Sequence, residues 1–358
     1  MIVSLTARKF EIFSGTGGVG KTTLATSRAI TLAQEGQKVL LITIDPAKRL
    51  RELLNIKLED AGKVLPIPDP FQKNEQLKLY VELMDPTSTF TRVAQANNCE
   101  DVLNNRILNI LTRPYGGLNE ILAMVELNMQ MQSNQYDAII LDTPPGGHFL
   151  DFLDSANRIQ IFFDQSFVEI FQYLGKKIDR SNTMSFGKRI VNKVVSSGVK
   201  TLLSYLNKVT GDKFVEDFVD TIIAIYKTKD SFLGALNLQK ELKNHDNSNW
   251  FLVTSVDQNK LKEALELKKS ASELINEDSF IVLNKCIQDQ LESWSPQNDN
   301  HQLNQLKQSL IERELKLKSG LKNNFKQVLE FPEVFSLSPI EHVKELSQTW
   351  TKITPREN

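Results

Sequence analysis

Gly15-Thr16-Gly17-Gly18-Val19-Gly20-Lys21-Thr22-Thr23 follows a short apolar run, Phe10 to Phe13, and leads directly into a helical pattern. Gly15, Gly20, Lys21 and Thr22 satisfy G-x-x-x-x-G-K-[ST], the spacing of a phosphate-binding P-loop. The residue types suit that chemistry. Glycines let successive backbone N–H groups converge on phosphate oxygens, and the helix that follows presents its positive dipole end to the anion. Lys21 is placed to reach the β- and γ-phosphates, and the Thr22 hydroxyl to ligate Mg²⁺. Gly15, Gly17 and Gly20 also read as G-x-G-x-x-G with Asp45 as a ribose-binding acid, the dinucleotide fingerprint. Lys21-Thr22 belongs to the P-loop pattern alone and favours it.

Two further acids stand where such a loop needs them. Val39-Leu40-Leu41-Ile42-Thr43-Ile44 is a nearly continuous apolar run, as expected of a strand buried on both faces of a parallel sheet, and it ends in Asp45-Pro46-Ala47-Lys48-Arg49. Tyr136-Asp137-Ala138-Ile139-Ile140-Leu141 runs likewise into Asp142-Thr143-Pro144-Pro145-Gly146-Gly147-His148. An acid just past the carboxyl end of such a strand lies where open α/β sheets bind ligands. In P-loop enzymes an acid at the position of Asp142 holds Mg²⁺, directly or through water. His148 is left outside the catalytic set, because phosphoryl transfer to water calls for positioning more than for a strong base.

The elements that must position these residues follow from periodicity. A helix over Leu24 to Glu35 stops at Gly36, Leu77 to Met84 reads as a strand, and Lys63 to Pro70, with three prolines, reads as a loop. Thr87 to Gln135 is largely helical. Beyond Phe149 the pattern becomes one of amphipathic helices carrying aromatic stripes, among them Phe162, Phe163, Phe167 and Phe171, and later Phe214, Phe218, Ile222 and Tyr226. Such stripes suit the core of a helical subdomain, or else a groove for an apolar partner. Strand signals resume at Trp250 to Ser255 and at Ser279 to Leu283, which ends in Asn284. A charged helix covers His301 to Lys318, Glu333 to Pro339 reads as the last strand, and a helix closes the chain. The expected fold is therefore α/β: a P-loop NTPase with a mostly parallel sheet flanked by helices and an inserted helical subdomain. Its expected parts are 1–86 (first part of the core), 87–134 (helical segment), 135–155 (core again), 156–248 (helical insertion) and 249–358 (C-terminal core).

The 358 residues carry 43 Lys and Arg against 44 Asp and Glu. That balance offers no electrostatic footprint for nucleic acid or an anionic membrane. No apolar run approaches about 18 residues, so no stable membrane insertion is expected. Cys99 and Cys286, the two cysteines, are far apart in sequence, which fits a reduced cytoplasmic protein without a disulfide framework.

Taken together, Gly15 to Thr23, Thr43-Ile44-Asp45-Pro46-Ala47, Asp142-Thr143-Pro144-Pro145-Gly146-Gly147-His148 and the late strand ending in Asn284 resemble the ArsA-like ATPases. That family comprises arsenite-pump and tail-anchored-protein-targeting members, and the likeness is to a bacterial branch with T-I-D-P-A-[RK]-R-L. It covers nearly the whole chain and implies ATP and Mg²⁺ as ligands. It further implies Asp45 as the switch acid that orients the attacking water and contacts the metal site. Asp142 would hold Mg²⁺, Asn284 would contact adenine, and the loop at Pro339 and Ile340 would close over the base. A nucleotide-driven dimer, homo- or heteromeric, and a helical insertion that handles an apolar client protein also follow from the resemblance.

Two departures bear on that expectation. Where the family's loop carries its first lysine, which reaches the partner subunit's phosphates, this chain has Thr16. Slow hydrolysis, another cation such as Lys48 or Arg49, or a lysine supplied by a paralogous partner would each accommodate it. An arsenite site, in turn, requires clustered thiolates, and two distant cysteines do not supply them. The expected function is a Mg²⁺-dependent ATPase switch, with a non-hydrolysing nucleotide switch and an arsenite-efflux subunit as alternatives.

Overall fold

The computed structural model describes residues 5–44, 48–71, 77–112, 118–162, 205, 208–275, 279–295, 301–325, 327–336 and 338–353. Eight strands form one sheet: β1 (Phe10–Gly15), β2 (Val39–Thr43), β3 (Val64–Ile67), β4 (Leu79–Leu83), β5 (Ala138–Asp142), β6 (Ser248–Ser255), β7 (Phe280–Cys286) and β8 (Val328–Pro332). Their order is β3-β4-β2-β5-β1-β6-β7-β8, and every neighbouring pair is parallel except β3 with β4. Among the described residues the α-helices in chain order are α1 (Lys21–Gln34), α2 (Lys48–Leu54), α3 (Pro86–Ala96), α4 (Arg106–Leu111), α5 (Asn119–Gln132), α6 (Gly147–Phe162), α7 (Asp212–Lys227), α8 (Lys229–Lys243), α9 (Gln258–Ser270), α10 (Gln288–Ser293), α11 (His301–Asn324) and α12 (Pro339–Ile353).

The chain divides into two compact units, one of residues 1–84, 130–153 and 240–358, the other of 85–129 and 154–239. The first holds the sheet. β1, β2 and β5 are buried throughout, as strands covered on both faces must be. On one face Phe13, Phe251 and Phe280 stack in sequence across β1, β6 and β7, and Trp350 of α12 packs edge-on against Phe13 and Phe251. Glu11 points to the same face, two residues before Phe13. Its carboxylate takes two hydrogen bonds from Arg28 of α1, at 2.6 and 2.9 Å, with both side chains wholly buried. The guanidinium also lies 5.2 Å from the Trp350 ring centroid. A charge inside the apolar run of β1 thus ties strand, first helix and last helix together.

In the second unit, Asn105 caps α4 through Oδ1, accepts from Thr221 Oγ1 at 2.9 Å and donates to the Asp217 carbonyl at 2.6 Å. Glu126 is buried and accepts from Thr89 and Arg92. The α7 stripe is graded rather than uniformly buried: Val215 and Val219 are inside, Phe218, Ile222, Ile223 and Tyr226 half-buried, and Phe214 exposed. The aromatic stripe expected between 163 and 204 lies outside the described residues.

Two expectations from the sequence need correction. The proline-rich stretch taken as a loop contains β3. This strand occupies the outer edge of the sheet and pairs with β4 alone, so the missing N–H of Pro66 breaks no central ladder. The last strand is Val328–Pro332 rather than 333–339. Residues 333–336 are irregular, and Pro339 opens α12 at its first turn, where proline is tolerated.

Candidate functional site

The carboxyl ends of β1, β2, β5 and β7 lie on one edge of the sheet, and the P-loop spans from β1 to α1 along that edge. Gly18 and Gly20 have φ of +78° and +95°, in the left-handed region that favours glycine. A Cβ on Gly20 would meet Asn284 Nδ2 at 2.4 Å, whereas Cβ atoms on Gly17 or Gly18 would meet nothing within 4 Å. The loop is therefore closed on the Asn284 side and open at 17 and 18. Asn284, buried at the end of β7, donates from Nδ2 to the Val19 carbonyl at 2.9 Å and braces the loop from beneath.

The functional side chains follow from this frame. Lys21 Nζ donates to the Thr16 carbonyl at 3.0 Å. Thr22 Oγ1 donates to Asp142 Oδ2 at 2.7 Å, and Thr43 Oγ1, beside Asp142 in the sheet register, donates to the same oxygen at 3.2 Å. Thr143 fastens the neighbouring loop, its Oγ1 donating to the Phe13 carbonyl at 2.8 Å, and the Gly146 N–H donates to the Gly15 carbonyl at 3.2 Å. The buried Thr16 hydroxyl has no hydrogen-bond partner among the described residues. A glycine loop with open space, an ammonium group and an unmatched buried hydroxyl together fit a polyphosphate. A threonine hydroxyl touching a carboxylate is an all-oxygen donor set of the kind Mg²⁺ takes.

A cavity of about 310 Å³ adjoins the loop, lined by Gly18, Gly20, Lys21, Thr22 and Thr23 together with Asn284. It also contains Lys285, Pro332, Glu333 and His342, which sequence reasoning missed. Lys285 is exposed and left-handed (φ 65°), at a register shift between β7 and β8. Its place directly after Asn284, where the strand read from the sequence ends, was a usable signal, although β7 runs on to Cys286; for His342 the sequence offers none. Pro339 and Ile340 begin α12 and do not line this cavity, which is reached from that helix by His342 instead. Asp45 lies outside the described residues.

Both thiols are buried. Burial pushes Cys286 up to about 12, with the nearby Glu314 carboxylate adding to the shift, and burial also raises Cys99. Among the described residues no group of three or more His, Cys, Asp or Glu side chains is placed to hold a metal ion, and no helix is long and apolar enough to cross a membrane.

Residues 8–329 match the profile of the anion-transporting (ArsA) ATPase family. The chain belongs to this family. Individual relatives match over shorter stretches. A putative arsenical pump-driving ATPase 2 of Aquifex aeolicus is 31% identical over 160 residues, 43% of this chain and 51% of that protein. ATPase GET3 of Rhodotorula glutinis is 33% identical over 153 residues, 42% of each chain. ATPase get3 of Schizosaccharomyces pombe is 32% identical over 157 residues, 43% of this chain and 45% of the relative. The chain thus spans about half the length of the curated relatives it matches. The fold is that of the family's P-loop NTPases, with the strand order and loop placement described above.

Proposed function

We propose that the chain is a Mg²⁺-dependent ATPase working as a nucleotide-switched dimer whose helical unit handles an apolar client protein. The observation that carries this reading is the 2.7 Å contact between Thr22 and Asp142 directly under a P-loop whose lysine is already docked. Lys21 and the loop amides hold the phosphates and offset their charge. Thr22 and Asp142 would hold Mg²⁺, which when bound offsets charge between the β- and γ-phosphates. Asp45 orients water for in-line attack and Asn284 meets the base, while Pro339 and Ile340, at the start of α12 and outside the cavity lining, would close over it.

Phosphate release by the purified chain, with ATP and Mg²⁺, tests this. Asp45→Asn should keep nucleotide affinity and slow turnover on the order of 10²–10⁴-fold, since the amide no longer accepts a hydrogen bond from the attacking water at both oxygens and so holds it poorly in line. Unchanged turnover in that variant removes Asp45 from the mechanism.

Thr16 supports a second reading, a nucleotide switch that hydrolyses only beside a paralogue bearing the missing cation. Phosphate release that begins only when a lysine-bearing family member is added would favour it. An arsenite-efflux role has weaker support, because thiols held protonated by burial are poor soft-metal ligands.

A further inference from the structure

A second cavity shares no residue with the nucleotide cleft. α9 and α11 bracket a groove of about 820 Å³ whose floor is Leu261 and Leu265 from one helix and Leu317 and Leu321 from the other, closed by Phe325. Each leucine pair is spaced i, i+4, so each helix turns one apolar stripe inward. Helices in direct contact run about 8–10 Å apart and fill the space between them with such side chains. Here Leu261, Leu265 and Leu317 are only half-buried.

Gly320 stands in the groove wall between Leu317 and Leu321, exposed, and a Cβ there would meet nothing within 4 Å. A glycine inside a helix costs about 1 kcal/mol relative to alanine. Among the described residues no neighbour would clash with a Cβ there, whereas a backbone laid along the groove would.

The rim carries Lys268, Lys269, Arg313 and Lys316, and among the described residues no carboxylate lines the groove. Lys268 lies 4.9 Å from the Phe325 ring centroid, and burial lowers its pKa. Arg313 shares an exposed 3.5 Å contact with Asp257. Among the described residues Lys268, Lys269 and Lys316 have no carboxylate partner.

The geometry points to this groove as the docking site of an acidic amphipathic helix from a partner protein. The guest's leucine-type stripe fills the floor, and acids flanking that stripe meet cations on both walls. The placement of the cations decides against a single-headed ligand such as a fatty acid: Lys268 and Lys269 stand on one wall, Arg313 and Lys316 one turn apart on the other. From Arg313 to Phe325 the groove runs roughly 18 Å at the helical rise per residue, about three turns of a guest helix.

The test is fluorescence polarisation with the full chain and a labelled synthetic helix of roughly 16 residues, leucine at i, i+3, i+4 and i+7 and glutamate on both flanks. A lysine-flanked counterpart, sodium oleate and phosphatidylglycerol vesicles complete the set. The expected results are a Kd on the order of 10 μM for the glutamate peptide and at least about tenfold weaker binding of the lysine peptide. Lys269→Glu with Lys316→Glu should weaken the glutamate peptide at least about tenfold, and Gly320→Leu should do the same while leaving the melting temperature equal or higher. ATP affinity, measured on the same variants, should not change, since none of these residues lines the nucleotide cleft. Equal binding of both peptides, or binding that survives the charge reversal and the leucine, overturns the proposal. So does oleate or vesicle binding in place of the peptide, or no peptide binding up to about 1 mM.

Discussion

Alanine at Gly20 and at Gly17 separates what the P-loop backbone requires of the fold from what it offers a phosphate. At Gly20 the φ of +95° costs a non-glycine residue about 1–2 kcal/mol. The new Cβ, 2.4 Å from Asn284 Nδ2, also forces that side chain off the Val19 carbonyl. A buried donor left unmatched costs a further ~1–3 kcal/mol. The sum, about 2–5 kcal/mol, should appear as lost stability of the nucleotide-free chain in urea denaturation. At Gly17 φ is outside the left-handed range and the added methyl meets nothing within 4 Å, so the urea midpoint of Gly17→Ala should match the parent. That methyl instead enters the open part of the loop, and affinity for a fluorescent ATP analogue should fall at least tenfold, about 1.4 kcal/mol. Parent-like affinity in Gly17→Ala would refute the seating of phosphate against this loop. Parent-like stability in Gly20→Ala would refute the Asn284 brace.

Arg28→Ala should destabilise the chain by about 3–5 kcal/mol in the same urea assay, because it leaves the wholly buried Glu11 carboxylate without its partner; an unmoved midpoint would mean that Glu11 is neutral in the fold. Asp142→Asn keeps an oxygen for Thr22 but removes the charge, so nucleotide affinity should lose its dependence on Mg²⁺ while binding in EDTA stays as in the parent; a preserved Mg²⁺ effect would exclude Asp142 as its holder. Stability should fall at both ends of the pH range, read as melting temperature. Glu330, bonded to Lys318 and Lys322, has its pKa lowered below 4.5, so its contribution is full above that value and is lost as pH falls through the lowered one. Cys286 has its pKa raised from 9.0 to about 12, so its contribution is full below 9.0 and is lost as pH rises toward 12; Cys286→Ser, whose hydroxyl does not titrate there, should flatten the alkaline limb.

The parts of the fold legible in the sequence were those where one physical demand acts alone. β2 and β5 are covered on both faces, so their residues form nearly continuous apolar runs. The glycine spacing of the loop and the acid ending β5 were legible for the same reason, since the backbone geometry and the ligand chemistry each restrict residue type. β8 escaped because Glu330 interrupts its apolar pattern to pair with Lys318 and Lys322 on α11, a contact between distant segments. Val334 and Phe335 imitated a strand instead, yet Phe335 is 80% exposed. Lys285 and His342 were missed because a register shift and a helix from the chain's end bring them to the cleft, and neither leaves a local pattern.

Thr16 joins the two levels of description. The lysine of the P-loop docks on the backbone carbonyl of residue 16, a group that every side chain at that position would leave in place. Asn284 and the Thr22–Asp142 contact hold the rest of the loop without reference to the Thr16 side chain. Threonine therefore leaves these contacts whole and adds a buried hydroxyl with no partner among the described residues; under the proposed dimer, what the departure from the family's pattern removes is a long cationic side chain able to reach the facing subunit. A trans-acting cation of that kind is worth on the order of 10³–10⁵ in phosphoryl-transfer rate, by analogy with arginine fingers. Under the proposed dimer, nucleotide affinity and turnover are for that reason separable: the chain's own loop would govern the first, and the identity of the subunit facing it the second.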